Sequence, residues 1–271
     1  MTSENADLAG QVALITGGAG AIGRAISVGL VRVGAKVALV DIAGERLHSY
    51  GEKLASEVGS SRVLTIVSDV RDSHQVTRAF DLTMETFGHL DILVNNAAAT
   101  MIKAVDDLTD ADIDLIIDTN LKGYVYCARD AVRIMKAADS GGSLLFISSK
   151  NGLAGASNKS LYCATKGGEL TLARSLAMEL GEFGIRVNTI CPDAVLEGSG
   201  LWQDDNYRLG TARRYNISEE QIPEYYKQRC ALKTNIEPAD VANAALFLLS
   251  SNAAKLTGVI LTVDGGVAFV R

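Results

Sequence analysis

Short apolar runs alternate with segments of helical spacing along most of this 271-residue chain. The runs occupy residues 11–16, 36–41, 62–70, 91–96, 143–149, 185–191 and 258–264. Strands that alternate with helices form a parallel sheet with right-handed crossovers, because each helix returns the chain to the same edge. We therefore predict an α/β fold in which a doubly wound parallel sheet forms one domain over residues 1–271.

Composition and charge narrow the class of protein. The chain is 48% hydrophobic with three prolines, so it can bury a sizeable core. Its net charge of −6 and the lack of a basic block argue against a nucleic-acid partner. No apolar run approaches the ~18 residues of a membrane span, and the polar start at Met1 is not typical of a signal peptide. We expect a cytoplasmic protein with reduced cysteines, no membrane contact and no metal site.

A glycine-rich turn follows the first predicted strand. Residues 17–23 read G-G-A-G-A-I-G and open a segment of helical spacing. Such a turn lets backbone N–H groups approach a pyrophosphate at the positive end of a helix, as in Rossmann-type dinucleotide sites. A plain tight turn between strand and helix would use the same residue types, so the turn alone leaves both interpretations open.

The second predicted strand ends at Asp41, about twenty residues after the turn. A carboxylate there can accept hydrogen bonds from an adenosine ribose and would repel a 2′-phosphate. Gly18 and Ile42 offer no cation to neutralise that phosphate, which favours NAD over NADP. The alternative is a solvated aspartate at a strand end. Asp69 and Asn95 end two further strands, and ligands of parallel sheets bind at this shared edge.

The segment after the fifth run contains a candidate acid/base group. Tyr162 and Lys166 are four residues apart on one helical face, with Ser149 at the preceding strand end. To act as a base near neutrality, a tyrosine needs its pKa lowered by about three units from ~10, or roughly 4 kcal/mol. An ammonium ~4 Å away at an effective dielectric constant of ~20 supplies about 4 kcal/mol. A lysine beside a half-buried ring would give the same pattern without catalysis.

A serine hydrolase gains no local support from the sequence. All three histidines lie in the first third of the chain, far in sequence from Ser149.

The predicted helix over 110–137 contains Asn120 and Gly123, which both lower helix propensity. This violation indicates either a functional position or a tolerated kink.

Residues 193–235 break the regular alternation. This insertion contains the one tryptophan of the chain and four of its eight tyrosines. Long irregular segments inside a compact domain often cover a binding site, and we interpret this one as a substrate lid. It is predicted to contain one or two helices, because Ser218 with Gln221 suits a capping box and Pro223 suits a helix start.

Several motifs occur in a fixed order along nearly the whole chain. They are T-G-G-A-G-A-I-G at 16–23, N-N-A-A at 95–98, Asn120, Ser149, Y-C-A-T-K at 162–166, N-T-I-C-P at 188–192 and V-D-G-G at 263–266. Together they resemble the classical short-chain dehydrogenase/reductase family, which implies a Rossmann-type dehydrogenase, an NAD cofactor and a homotetramer.

A second, finer resemblance concerns the substrate. The run C-P-D-A-V-L-E-G-S-G-L-W and the end V-D-G-G-V-A-F-V-R are similar to the dehydrogenase part of bacterial rhamnulose-phosphate aldolase/alcohol dehydrogenase fusions. This similarity implies a hydroxylated small molecule as substrate, namely a sugar, a polyol or a hydroxyaldehyde.

The family resemblance implies a role for each of four catalytic residues. Tyr162 would take the proton of a substrate hydroxyl while hydride passes to the nicotinamide, and Ser149 would orient the reacting oxygen. Lys166 would lower the pKa of Tyr162 and hold the nicotinamide ribose. Asn120 would hold a water that connects Lys166 with solvent.

The resemblance and the strand ends together define an expected cofactor site. Its residues are Gly17, Gly20, Ala21, Ile22, Gly23, Asp41, Ile42, Asp69, Val70, Asn96, Ala97, Ala98, Tyr162, Lys166, Pro192 and Val195. Four positions depart from the family pattern. Ala21 and Ala98 replace glycines, Asp193 replaces the glycine after Pro192, and Glu197 replaces a threonine that often contacts the carboxamide. The two acids are candidates for binding substrate hydroxyls.

Substrate binding is expected on the lid and on the loop that faces it. The candidate residues are Lys150, Asn151, Asn158, Asp193, Glu197 and Trp202. An arginine of the lid that reached the pocket would favour a carboxylate, phosphate or sulfonate on the substrate. Otherwise the two acids favour a neutral sugar or polyol. A non-catalytic NAD-binding regulator is a further alternative, disfavoured by the complete set of four catalytic residues.

Overall fold

The computed structural model describes residues 8–267, in which seven strands form one sheet. The strands are β1 Val12–Thr16, β2 Lys36–Asp41, β3 Val63–Val67, β4 Ile92–Asn95, β5 Gly142–Ile147, β6 Ile185–Pro192 and β7 Ile260–Val263. Their order is β3-β2-β1-β4-β5-β6-β7, and every neighbouring pair is parallel. The sheet therefore has the predicted doubly wound, Rossmann-type topology, in which the order reverses between β1 and β4.

Helices cover both faces of the sheet. The helices of the described residues are α1 Ala21–Arg32, α2 Gly44–Val58, α3 Ser73–Phe87, α4 Asp110–Ile117, α5 Gly123–Ala138, α6 Ser160–Leu180, α7 Asp205–Tyr215, α8 Ile222–Arg229 and α9 Pro238–Leu249. Of these, α7 and α8 belong to the insertion over 193–235. All five residues of β1 are buried, as expected for a parallel strand covered on both sides. Ile26 and Leu246 belong to the core layer on one face, and Phe80 and Phe146 to the layer on the other.

A π-helical turn interrupts the helix predicted over 110–137. Asp118–Lys122 joins α4 to α5, and Asn120 in this turn is fully buried. Gly123 follows directly, where an added Cβ would lie only 3.0 Å from a methyl carbon of Val70. Asn120 thus lies in a widened helical turn, and Gly123 lies where two elements approach closely. A merely tolerated kink would require neither feature.

The insertion over 193–235 is folded rather than open. It contains α7 and α8, Pro223 lies in the first turn of α8, and Ser218 with Gln221 forms the predicted capping box. Aromatic side chains pack these helices together, including Trp202, Tyr207, Tyr215, Tyr225 and Tyr226. The predicted helices of the insertion are therefore confirmed.

Residues 8–267 contain no helix that is long and apolar enough to cross a membrane. The interpretation of the polar start at Met1 falls outside the described residues, as do the last four residues of the V-D-G-G-V-A-F-V-R motif.

Candidate active site

A cavity of about 710 Å³ opens at the carboxyl edge of the sheet. It runs from the end of β2, past the turn after β1, to the lid. Most of the expected cofactor residues line it: Gly17, Gly20, Ala21, Ile22, Asp41, Ile42, Asp69, Val70, Asn96, Ala97, Ala98, Tyr162, Pro192 and Val195. Gly23 and Lys166 are absent from this lining and lie behind it.

The glycine turn is shaped by close backbone contacts. Gly17 has φ +65°, and a Cβ added there would lie 2.7 Å from the Asn96 side-chain nitrogen. That nitrogen donates to the Gly17 carbonyl at 3.1 Å, which ties the turn to the end of β4. A Cβ added at Gly23 would lie 2.3 Å from the Gly17 carbonyl oxygen. Gly23 therefore lets α1 pack on the turn rather than contacting a ligand.

Asp41 is held rigidly at the end of β2. Its carboxylate accepts hydrogen bonds from the backbone N–H groups of Ala19 at 3.0 Å and Ala43 at 2.9 Å. Two arginines that the sequence analysis did not single out also line this end of the cavity. Arg71 forms an ion pair with Asp69 at 2.6 Å, whereas Arg46 is exposed at the start of α2. The sequence position of Arg46 could have indicated its place, because it lies about one helical turn after Ile42, which lines the same end of the cavity.

Ser149 and Tyr162 line the same cavity. The pKa of Tyr162 is raised above its usual value. Burial is the largest cause, and a hydrogen bond from Ser149 opposes it only in part. The Lys166 ammonium is 5.8 Å from the centre of the Tyr162 ring. It lies instead 2.9 Å from the carboxylate of Glu169 and 3.1 Å from the carbonyl of Ile147.

This arrangement differs from the one expected from the sequence. The expectation considered only the ammonium and the tyrosine, whereas Lys166 is 1% exposed and its charge is offset by a buried carboxylate one helical turn further along. Glu169 was not among the residues predicted from the sequence. The spacing of three residues from Lys166 was a usable signal, because residues i and i+3 share a helical face.

Asn120 is anchored by three hydrogen bonds. Its side chain accepts from the backbone N–H of Ala99 at 2.8 Å and donates to the Ala99 carbonyl at 2.9 Å and the Thr165 hydroxyl at 3.1 Å. The amide thus joins the loop after β4 to helix α6. Its expected role in holding a water beside Lys166 stays a prediction.

Four of the six expected substrate residues line the lid end of the cavity, namely Lys150, Asn151, Asp193 and Trp202. Asn158 and Glu197 are exposed and absent from the lining, and their role in substrate binding stays a prediction. Asn158 instead adopts a left-handed turn with φ +57°, and its carbonyl accepts from the N–H of Lys103 at 2.8 Å.

Asp193 is not a free carboxylate. Arg229 donates to both of its oxygens at 2.7 and 2.6 Å, and the Lys150 ammonium lies 3.7 Å away. Arg214 also lines the cavity, whereas Arg208 pairs with Glu219 and points elsewhere. The lid end therefore presents three cations and one carboxylate.

Sequence analysis also missed Lys159, three residues before Tyr162. It is 8% exposed, and its ammonium donates to the Tyr207 hydroxyl at 2.5 Å and lies 5.4 Å from the centre of the Tyr162 ring. Burial lowers the pKa of Lys159 to about 8, with a further contribution from Arg214. Tyr207 itself lines the cavity, so Lys159 adds positive charge just behind the wall.

The sequence family described as Enoyl-(Acyl carrier protein) reductase matches residues 17–268, a range that includes the glycine turn, Ser149 and the Tyr162–Lys166 helix. The chain belongs to the short-chain dehydrogenase/reductase family. Membership confirms the family resemblance, the Rossmann-type fold and the interpretation as an oxidoreductase of this family.

Individual relatives span most of this short-chain dehydrogenase/reductase chain. The uncharacterized oxidoreductase YuxG of Bacillus subtilis is 39% identical over 98% of the chain, but the chain covers only 39% of YuxG. Sorbitol-6-phosphate 2-dehydrogenase SrlD of Erwinia amylovora has a TM-score of 0.88 at 29% identity, covering 95% of this chain and 99% of that one. Carveol dehydrogenase of Mycobacterium avium, solved with NAD, has a TM-score of 0.88 at 30% identity, covering 97% and 99%.

Proposed function

We propose that this protein is an NAD-dependent dehydrogenase for a secondary alcohol of a sugar, polyol or hydroxyaldehyde-like small molecule. The observation that carries the proposal is the shared cavity, in which Ser149 and Tyr162 face the space beside the glycine turn and Asp41. Hydride transfer from an alcohol needs acid/base hydroxyl groups and a dinucleotide-binding turn in one cavity, and this cavity combines them.

The residues present fit a dinucleotide. Gly20 is the N-cap of α1, no side chain among residues 8–267 caps this helix, and its first N–H groups are open to a pyrophosphate. NAD, when bound, supplies the carbon that accepts hydride. Tyr162 takes the hydroxyl proton of the substrate on its phenolate oxygen, and Ser149 orients the reacting oxygen. The neighbour solved with NAD supports this cofactor.

We expect NAD to be preferred over NADP by at least tenfold in kcat/KM, about 1.4 kcal/mol. The Asp41 carboxylate would lie against a 2′-phosphate and repel it. Asp41→Ala should narrow the difference, and Arg46, which lines the same end, should then assist NADP. Steady-state kinetics with both cofactors measures this. Asp41→Ala/Arg46→Ala should lose the NADP activity gained by Asp41→Ala. Equal rates of the unaltered protein with both cofactors would contradict the assignment.

A second candidate is a dehydrogenase whose hydroxylated substrate carries an anionic group. The three cations Lys150, Arg214 and Arg229 at the lid end outnumber the single carboxylate of Asp193. One nitrogen of Arg229 donates to both Asp193 oxygens, so this carboxylate offsets one of the three positive charges and leaves a surplus of two at the lid end. A carboxylate or phosphate would match them. The similarity to a sorbitol-6-phosphate dehydrogenase agrees with this possibility.

NAD reduction with matched substrates distinguishes the two candidates. The panel pairs sorbitol with sorbitol 6-phosphate, and neutral sugars with the corresponding hydroxy acids. For an anionic substrate, Lys150→Ala and Arg214→Ala should each raise KM about tenfold, or roughly 1.4 kcal/mol. Arg213→Ala is the matched control, because this adjacent arginine is exposed and absent from the cavity lining. Unchanged kinetics in both test variants would leave the neutral substrate.

The same panel tests the rival proposal of a non-catalytic regulator, which predicts NAD binding without turnover of any alcohol. Kinship with the aldolase fusions, a cytoplasmic location and a homotetramer stay hypotheses at this stage. Size-exclusion chromatography with light scattering would test the tetramer directly.

A further inference from the structure

A buried ion pair lies directly behind the cavity wall. Glu169 is 0% exposed and Lys166 is 1% exposed, and both belong to helix α6. The Lys166 ammonium is 2.9 Å from one Glu169 oxygen and 3.1 Å from the other. The ammonium that family resemblance assigns to the nicotinamide ribose is thus already held by a carboxylate.

The surroundings of the pair are largely neutral. Tyr124 of α5 lies 3.5 Å from the Lys166 ammonium and donates to the Ile147 carbonyl at 2.7 Å. Burial raises the pKa of Tyr124 well above its usual value and that of Cys191, on β6, to about 12. Both therefore stay uncharged near neutral pH. The charge of Glu169 consequently acts mainly on Lys166 and on Tyr162, one turn before Lys166.

Stability alone does not explain a carboxylate at this position. Removing two charges from water costs several kcal/mol per ion, and well-packed apolar residues often serve a core equally well. Burial raises the pKa of Glu169 to about 7, against the opposing effects of Lys166 and Ser148. Together with the contact to Lys166, a pKa raised in this direction couples the charge of the carboxylate to that of the ammonium near neutral pH.

We propose that Glu169 is a positioning residue that holds the Lys166 ammonium and sets, through that charge, how readily Tyr162 ionises. This inference rests on the proposed function. When Glu169 is ionised, it offsets Lys166 and disfavours the phenolate of Tyr162. When Glu169 is protonated, the charge of Lys166 is uncompensated and favours the phenolate. Glu169, Lys166 and Tyr162 then titrate as one coupled unit.

The first test is the pH profile of kcat/KM for alcohol oxidation. Glu169→Gln removes the negative charge and keeps the shape, so the pKa of Tyr162 should fall. The acidic limb should move to lower pH by at least about half a unit. Asp130→Asn is the matched control, because Asp130 is also buried and ion-paired, with Arg129 and Arg133. A limb unmoved in Glu169→Gln, or moved equally in Asp130→Asn, overturns the proposal.

The second test needs no turnover. Side-chain carboxyl carbons of ¹³C-labelled glutamate are followed by NMR against pH, and Glu169 is assigned from its absence in Glu169→Gln. We expect Glu169 to titrate with a midpoint above that of an ordinary glutamate carboxyl. In Lys166→Met, where the cation is lost, this midpoint should rise further, by at least about one pH unit. Identical midpoints in both proteins overturn the proposal. A shifted midpoint in a protein that oxidises no alcohol would instead reject the proposed function.

Discussion

Tyr162→Phe is expected to lower kcat for alcohol oxidation by about 10²–10⁴-fold. The phenylalanine keeps the ring that fills the cavity wall but removes the hydroxyl that takes the substrate proton. Because the proposal assigns that oxygen to proton transfer and the other residues of the cofactor site are unchanged, the affinity for NADH should change little. Stopped-flow or steady-state kinetics gives kcat, and fluorescence titration gives the NADH dissociation constant.

Tyr126→Phe provides the control for this prediction. Tyr126 is also half-buried, but it lies on α5 and is absent from the cavity lining. Its loss should leave kcat and NADH affinity near their original values. If Tyr162→Phe kept more than about a tenth of the original kcat, the tyrosine could not be the proton acceptor.

Lys166→Ala is expected to remove most of the activity and also to destabilise the fold. Removing one partner of a buried ion pair typically costs about 3–5 kcal/mol, because the other charge is left uncompensated. Protonation of Glu169 limits this loss, since burial already raises its pKa to about 7. The double variant Lys166→Ala/Glu169→Gln should regain much of the stability but none of the activity. Chemical denaturation and kinetics measure the two effects separately.

The pH dependence of the Lys166→Ala variant has a definite sign. With its folded-state pKa raised above the unfolded value, Glu169 binds its proton more tightly in the folded protein. Its contribution is therefore favourable at low pH and is lost as pH rises through the folded-state pKa. The free energy of unfolding of Lys166→Ala, compared with that of the double variant at the same pH, should therefore decrease as pH rises from about 5 to about 9. Parallel curves for the two variants would contradict a buried, unpaired Glu169.

Arg129→Ala is the matched control for the loss of one charge partner. Arg129 pairs with the buried Asp130 at 2.9 Å, but its own side chain is 37% exposed. Solvent and the second partner, Arg133, can compensate Asp130. We expect a loss of no more than about 1 kcal/mol, typical of exposed pairs, and unchanged kinetics.

The fold and the sheet edge that carries the site could be predicted from the amino-acid sequence. Alternating strand and helix periodicities specify a parallel, doubly wound sheet, and parallel strands bring their carboxyl ends to one edge. Asp41 and Ser149 could therefore be placed at that edge from strand ends, whereas the assignment of Tyr162 also needed the family resemblance. The irregular Asn120 and Gly123 could also be recognised, because a violated helix propensity is visible without coordinates.

Which charged side chains form ion pairs became visible only in the folded structure. Asp193 and Arg229 are 36 residues apart in sequence, and only the folded lid joins them. Glu197 looked equivalent to Asp193 in sequence, yet it is exposed, whereas Asp193 is paired with Arg229. Helical spacing is consistent with Glu169 near Lys166, but only the tertiary packing around α6 buries both and sets the ammonium 5.8 Å from the centre of the Tyr162 ring. Periodic patterns fix backbones, whereas charge pairing depends on burial and on long-range contacts that a linear sequence does not contain.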